Sequence, residues 1–326
     1  MSAALDCLAS SAAIAAAVGL GAGPWALWGL RRSMGRPPVR SAASQADLAF
    51  VLGLLPALLA VGAVVGTLLP SLMTLAGVMP DHCDDHDHHV HLCLVHDAHT
   101  PAWWSAVGAI AAAIFTVRAT WVAAGALRRH RSIRALERLG TPGLRAGFPT
   151  VRVPGAPRLC LATGLFRRRI VYSASLEAHL SAAELDAALA HEAAHLHRRD
   201  PLSSAALRVA GLFTLPSVAA RIQGEFSAAA ERACDAAAAQ VHGPETVARA
   251  LVAAARAQSF ASSGLALTGH PLAARVAALL AAHAPRVTPA KGGAVALALC
   301  VGVLGTVCVF ALELHHAVET LLSLIV

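Results

Sequence analysis

The sequence predicts a mostly α, integral-membrane protein: four transmembrane helices, with a cytoplasmic α+β domain between the third and the fourth. Three observations predict it. The 326 residues are 56% hydrophobic and 14% charged, with a mean hydropathy of +0.60, whereas a soluble domain carries about 25% charged residues. Four apolar stretches, at about 4–30, 48–78, 103–127 and 294–312, are each long enough to cross a bilayer. Between the third and fourth, residues 128–290 lose that character and carry short β-like runs followed by helical ones.

Taken in order, the membrane region 1–127 comes first. The first stretch contains Trp25 and Trp28, which fit an interfacial belt, and is followed by Arg31, Arg32, Arg36 and Arg40. The positive-inside rule puts that loop in the cytoplasm and the N-terminus outside. No basic segment precedes the apolar run, so no cleaved signal peptide is expected. The second stretch is longer than one straight span needs, and Pro56 and Pro70 can kink it. It leads outward to a His-rich loop, 80–101. The third returns inward to Arg128, Arg129 and Arg131. Arg118 lies inside that span and is expected to snorkel or to pair within the bundle. The net charge of +7 is read as membrane orientation, not nucleic-acid binding, since no nucleic-acid motif accompanies it.

In the domain, residues 131–139 suggest a short helix and a Gly/Pro-rich connector follows to about 157. Runs at 150–153, 158–162 and 169–172, bounded by Gly and Pro, suit a small sheet. Ser181-Ala182-Ala183-Glu184 is a capping box, flanked by Leu180 and Leu185 at staple positions. From there through Leu189 nothing opposes a helix, and Pro201 marks its stop. Residues 205–222 are apolar but broken by Arg208 and Pro216. A crossing there would separate two motifs that need each other, so a core helix touching the bilayer surface is expected. Helices at 224–241 and 245–257 are divided by Gly243-Pro244, and a short one runs from His270-Pro271 to near His283. Residues 291–326 hold the fourth span and a short outer tail. Of the seven cysteines, Cys7, Cys300 and Cys308 lie in apolar stretches as small hydrophobes.

The chemistry begins at His191-Glu192-Ala193-Ala194-His195, an H-E-x-x-H pattern. Positions i and i+4 share a helix face, so His191 and His195 can point two imidazoles at one zinc ion. Glu192 stands where a general base must be to deprotonate a zinc-bound water. Catalytic zinc takes three protein ligands and a water. Glu231-Arg232-Ala233-Cys234-Asp235 supplies the third: Glu231 as ligand, with Asp235 one turn on, able to accept from a ligand histidine and fix its tautomer. Cys234 is the rival ligand but faces away from Glu231 on a helix, and is read as a buried thiol. His197 faces elsewhere, and Arg198, Arg199 and Asp200 are read as salt-bridging or membrane-surface residues.

His270, at a loop-to-helix junction, can donate to the oxyanion of a tetrahedral intermediate, or be a plain surface histidine. Together these residues imply peptide-bond hydrolysis by a zinc-activated water, with Glu192 taking the proton and handing it to the leaving amine. A sheet edge near 168–173 can bind an extended substrate by strand addition.

The stretch Gly164-Leu165-Phe166-Arg167-Arg168-Arg169-Ile170-Val171-Tyr172-Ser173, with Glu184-Leu185, residues 191–202 and residues 231–235, resembles the membrane-embedded gluzincins of the BlaR/MecR antirepressor family. The related HtpX and CAAX prenyl protease families share H-E-x-x-H and the later E-x-x-x-D. His197-Arg198-Arg199-Asp200-Pro201-Leu202 favours the first family, while His270-Pro271 with Arg275 resembles an HtpX motif. The resemblance implies zinc at His191, His195 and Glu231, with Glu192 catalytic. In the best-known members an outer sensor detects β-lactam and proteolysis relieves a transcriptional repressor. Here only about a dozen residues follow the fourth span, so no penicillin-binding sensor is expected.

The outer loop instead offers His82, Cys83, His86, His88, His89, His91, Cys93, His96 and His99, interleaved with five Asp. This set can bind zinc, copper or nickel, and Cys83 and Cys93 can alternatively form a disulfide. The loop is read as a metal or pH sensor. The expectation is an integral-membrane zinc endopeptidase acting in signal transduction. Its partners are the bilayer and a peptide or protein substrate, such as a transcriptional repressor, with no direct nucleic acid. A membrane quality-control protease and a catalytically silent metal-responsive receptor are the alternatives.

Overall fold

The structure is a computed structural model that describes residues 3–34, 41–80, 92, 94, 101–258, 272–281 and 292–325. Four of its helices are long and apolar enough to cross a membrane: α1 (Ala3–Met34), α2 (Ala42–Leu75), α3 (Ala102–Leu139) and α10 (Gly292–Val309). They match the four apolar stretches. The short helix expected at 131–139 is the continuation of α3, because nothing between Arg128 and Leu139 breaks a helix. Pro56 and Pro70 both lie inside α2.

Helix α2 is the hub. It packs against α1, α10 and α11 (Ala311–Ile325), and also against α6 (Asp200–Ala210) and α7 (Pro216–His242). One apolar core therefore runs from the apolar helices into the domain: Leu27 and Leu30 of α1, Phe50 of α2, Leu207 of α6, and Ile222 and Phe226 of α7. The short tail after α10, to which the sequence assigns no element, folds as helix α11. His315 is fully buried. Its Nδ1 lies 2.9 Å from the Thr67 carbonyl oxygen of α2, and its Nε2 3.1 Å from Glu319. Glu319 in turn accepts the Leu92 N–H at 2.8 Å.

The core helix expected over 205–222 is two helices. α6 ends in a 3₁₀ turn, Gly211–Phe213, and α7 starts at Pro216, whose ring suits a first turn. The tip between them wedges between α1 and α3. Phe213 meets Phe115 of α3 with ring centroids 5.2 Å apart. Arg118 donates to the carbonyl oxygens of Gly211 (2.6 Å), Leu212 (2.9 Å) and Thr214 (2.8 Å). Of the two roles foreseen for Arg118, the pairing within the bundle is the one observed.

The sheet has four strands in the order β1 (Thr141–Arg145), β2 (Phe148–Val153), β4 (Arg169–Ser173), β3 (Cys160–Thr163). β1 lies in what reads as a Gly/Pro-rich connector. It pairs antiparallel with β2 through a two-residue turn, Ala146-Gly147, in which both φ angles are positive. Pro142 is tolerated because β1 is an edge strand. β4 is interior, parallel to β2 and antiparallel to β3. The sheet edge expected near 168–173 is therefore wrong by one strand: the second open edge is β3. Phe148, Ile170 and Tyr172 pack on Leu185, Leu189 and Leu196 of α5 (Ala182–Arg198), fixing that helix over the sheet.

Small residues let the wedge approach α1. A Cβ on Gly19 would fall well inside contact distance of the Phe213 carbonyl oxygen, whereas one on Gly21 would meet nothing. We expect Gly19→Ala to destabilise the detergent-solubilised protein by about 1–3 kcal/mol, while Gly21→Ala is neutral or slightly stabilising. Thermal unfolding of the two variants side by side measures the difference.

Candidate metal centre

Helix α5 begins as its sequence dictates. Ser181 Oγ accepts from the Glu184 N–H, and Glu184 Oε2 accepts from the Ser181 N–H at 2.9 Å. Leu180 and Leu185 are buried in the same apolar cluster, as a staple requires. The helix ends at Arg198, and Arg199 turns the chain with φ 60°, ψ 32°. That left-handed residue brings Asp200 back toward the helix it has just left.

His191 and His195 lie on one face of α5, ring centroids 4.9 Å apart. Facing them is Glu231 of α7. His191 Nε2 is 3.4 Å from Glu231 Oε2, and His195 Nε2 is 3.5 Å from Glu231 Oε1. Ligand atoms of all three residues lie within 4.8 Å of one another. Donors about 2.0–2.1 Å from a tetrahedral ion stand roughly 3.3 Å apart, so this triad fits a zinc-sized cation.

Each imidazole is backed by an aspartate. His195 Nδ1–H donates to Asp200 Oδ2 at 2.8 Å. His191 Nδ1 lies 3.0 Å from Asp235 Oδ1, a short contact whose angle falls short of a good hydrogen bond. Both Nε2 atoms are thereby left facing Glu231. Arg275 of α9 (Leu272–Leu280) closes the cluster. It donates to Asp235 at 2.8 and 2.6 Å and lies 3.0 Å from Glu231. Arg198 donates to Asp200 at 3.2 Å.

The electrostatics follow from this crowding. Burial opposes charge on His191, but Asp235 and Glu231 outweigh it and hold its pKa up at about 9. Burial likewise opposes charge on His195, and Cys234, Asp200 and Glu231 raise its pKa well above the usual value. Glu231, despite burial, is held far below the carboxylate range by the two imidazoles. With the imidazoles neutral, the carboxylates Glu192, Glu231, Asp200 and Asp235 against the guanidiniums Arg198 and Arg275 leave two negative charges over. A divalent cation carries the charge that balances them.

Glu192 points to the opposite side, toward the sheet. Its Oε2 accepts the Ala162 N–H of β3 at 2.6 Å, and burial raises its pKa. A cavity of ≈ 470 Å³ joins these groups. Cys160–Ala162 of β3, the side chains of His191, Glu192, His195 and Glu231, and Arg275 all line it.

Of the residues singled out in the sequence, His191, Glu192, His195, Glu231 and Asp235 are brought together. Cys234 is buried, its thiol pushed up to about 11 by burial. It also sits 3.7 Å from Asp200, forming with His195 and Asp200 a second group of ligand-type atoms. His197 packs against Phe148, away from the triad. His270 lies outside the described residues. So do His82, Cys83, His86, His88, His89, His91, Cys93, His96 and His99. Asp200 was missed as a partner of His195, and the Ala162 N–H was missed altogether. The signal for Asp200 was its place five residues after His195 and just before Pro201, where a chain reversal can return it.

Comparison with curated proteins and with solved structures finds no match. A family model described as BlaR1 peptidase M56 matches residues 48–279. That span covers most of α2, all of α3, the sheet, both halves of the triad and Arg275. On a match over more than two thirds of its length, the chain belongs to the BlaR1 peptidase M56 family, a family of membrane metallopeptidases.

Proposed function

We propose that this chain is an integral-membrane zinc endopeptidase that signals by cleaving a cytoplasmic regulator. The observation that carries the reading is the convergence of two imidazole Nε2 atoms and one carboxylate in a cavity that also holds a carboxylate outside the triad, Glu192. His191, His195 and Glu231 would hold the ion. Bound zinc supplies Lewis acidity, polarising a carbonyl and acidifying a water.

The chain's own residues do the rest. Glu192 takes a proton from the attacking water and returns it to the departing amine. Burial serves this role by keeping its carboxylate poorly solvated and basic. Asp200 holds the His195 imidazole with Nδ1 protonated, so that its Nε2 is the lone-pair nitrogen, and the charge of Asp235, 3.0 Å from His191 Nδ1, favours the same tautomer there. Arg275 keeps Asp235 ionised and in place. The open edge of β3 can receive an extended peptide. There, a substrate carbonyl that takes the Ala162 N–H frees Glu192 for proton transfer. The Arg clusters at 31–40 and 128–131 support a cytoplasmic position for the domain and outer positions for both termini.

Three outcomes are expected. Glu192→Gln should retain bound zinc and lose cleavage of an unstructured reporter peptide by at least about 10²–10⁴-fold; unchanged turnover would remove Glu192 from the chemistry. Glu231→Ala should purify with little zinc by elemental analysis, where the wild type holds one ion. Asp200→Asn should keep the fold but weaken zinc binding by about 10–100-fold in competition with a chelator.

A further inference from the structure

A second cavity lies away from the metal centre, between α3 and the α6–α7 wedge. Its volume is ≈ 420 Å³. Trp121 and Val122 of α3 form one side, with Leu207, Leu212, Pro216 and Ala220 on the other. Trp121 is 69% exposed although it lies within an apolar membrane-type helix. The walls are mostly apolar, and two arginines, Arg118 and Arg208, also line them.

The two arginines differ in kind. Arg118 is spent on the three carbonyl oxygens of the wedge. Arg208 is half-buried, and its described side-chain hydrogen bond is to Ser204 Oγ at 3.1 Å. Burial lowers its pKa, and the positive charge of Arg129 lowers it further. Among the described residues, no carboxylate forms an ion pair with Arg208 or Arg129. Arg208 thus lines an apolar groove, half out of water and without an anion, and it feels the charge of Arg129 nearby. Gln223 also lines the groove, and its Oε1 is buried without a hydrogen-bond partner.

Position decides which anion fits. Arg118 and Arg129 are eleven residues apart on α3, roughly 16 Å along a helix axis, about half of a bilayer's hydrocarbon thickness. The groove's α3 wall, Arg118 to Val122, therefore lies at the depth of acyl chains when Arg129 lies at the headgroups. We propose that this groove binds one anionic phospholipid, its acyl chain along Trp121, Val122 and Ala220 and its phosphate at Arg208 and Arg129. A hydroxylated headgroup such as phosphatidylglycerol can also donate to Gln223 Oε1. The site stands apart from the peptidase reading, since no ligand of the metal centre takes part.

Native mass spectrometry of the full chain, released from nanodiscs with equal phosphatidylglycerol and phosphatidylcholine, tests it. The wild type should retain one phosphatidylglycerol in preference to phosphatidylcholine. Arg208→Gln should reduce that adduct about fivefold, the effect of one surface arginine on an anionic lipid. Arg208→Lys should largely keep it, and Arg221→Gln, which removes an exposed charge outside the groove, should leave it unchanged. Ala220→Phe fills the groove without touching a charge and should also remove the adduct, so the test survives if Arg208→Gln fails to fold. Equal retention of both lipids, or an undiminished adduct in both groove variants, would overturn the proposal. So would a lipid-free dimer that Ala220→Phe dissociates, which would make the occupant a second copy. Glu192→Gln should bind lipid like the wild type, so this test and the test of the peptidase reading can fail separately.

Discussion

Helix α7 has to satisfy two neighbours on different faces, and the rest of the molecule is arranged around that demand. Ile222, Phe226, Ala229 and Ala230 are buried in the core shared with α1 and α2. The next residue, Glu231, must reach two imidazoles on α5. Alanines at 229 and 230 let α7 lie close to α2, and Ala187 of α5 and Ala238 of α7 are buried in one cluster. A bulkier residue at any of these positions would move the carboxylate relative to the imidazoles. The metal centre is therefore not carried on a domain hinged from the membrane helices. It is built onto them: Arg232 donates to Gln45 of α2 at 2.9 Å, and Arg198 lies 3.9 Å from Asp47.

Gathering four carboxylates, two imidazoles and two guanidiniums into a partly buried cluster is costly unless each charge has its partner. Leaving one member of a buried pair alone costs about 3–5 kcal/mol. The pairing here is close to complete: Arg275 on Asp235 and Glu231, Arg198 on Asp200, and an aspartate behind each histidine. What remains is the surplus of two negative charges, carried by Glu231 and Glu192. The raised pKa values of both histidines express the same surplus, because protons are the cations nearest to hand. A divalent ion competes with those protons for the same place, so folding of this region and metal binding are linked.

Much of this was legible in the sequence because it is local. H-E-x-x-H, the capping box and the Gly243-Pro244 break each act within one or two helical turns, and the helices start and stop where they indicate. The parts that escaped depend on reversals or on distant partners. Asp200 reads as a salt-bridging or membrane-surface residue, and it does pair with Arg198, but its bond to His195 depends on Arg199 adopting a left-handed conformation that folds it back. β1 hides in Thr141-Pro142-Gly143-Leu144-Arg145 because its residues are poor strand formers and its pairing comes from β2. Which strand forms the open edge follows from the crossover order, to which the alternation within β3 or β4 is blind. Helix α11 reads as a tail because its partner, Thr67, lies 248 residues earlier.

Arg118 shows why an ionisable residue persists in an apolar helix. A helix that ends inside a bundle leaves carbonyl oxygens without donors, and in an apolar setting each costs several kcal/mol unless satisfied. The end of α6 and the following turn meet this condition, and the guanidinium of Arg118, with several donors in one plane, answers three carbonyl oxygens at once. Lysine could not span the three with the same geometry, since its ammonium is a point donor. The bond also has a consequence at a distance. α6 is a single short helix, with Arg118 holding the 3₁₀ turn that follows it and Asp200, its first residue, holding His195. Fixing one end of so short a rod fixes the other, so α3 takes part in orienting a histidine of the candidate metal centre that it never touches.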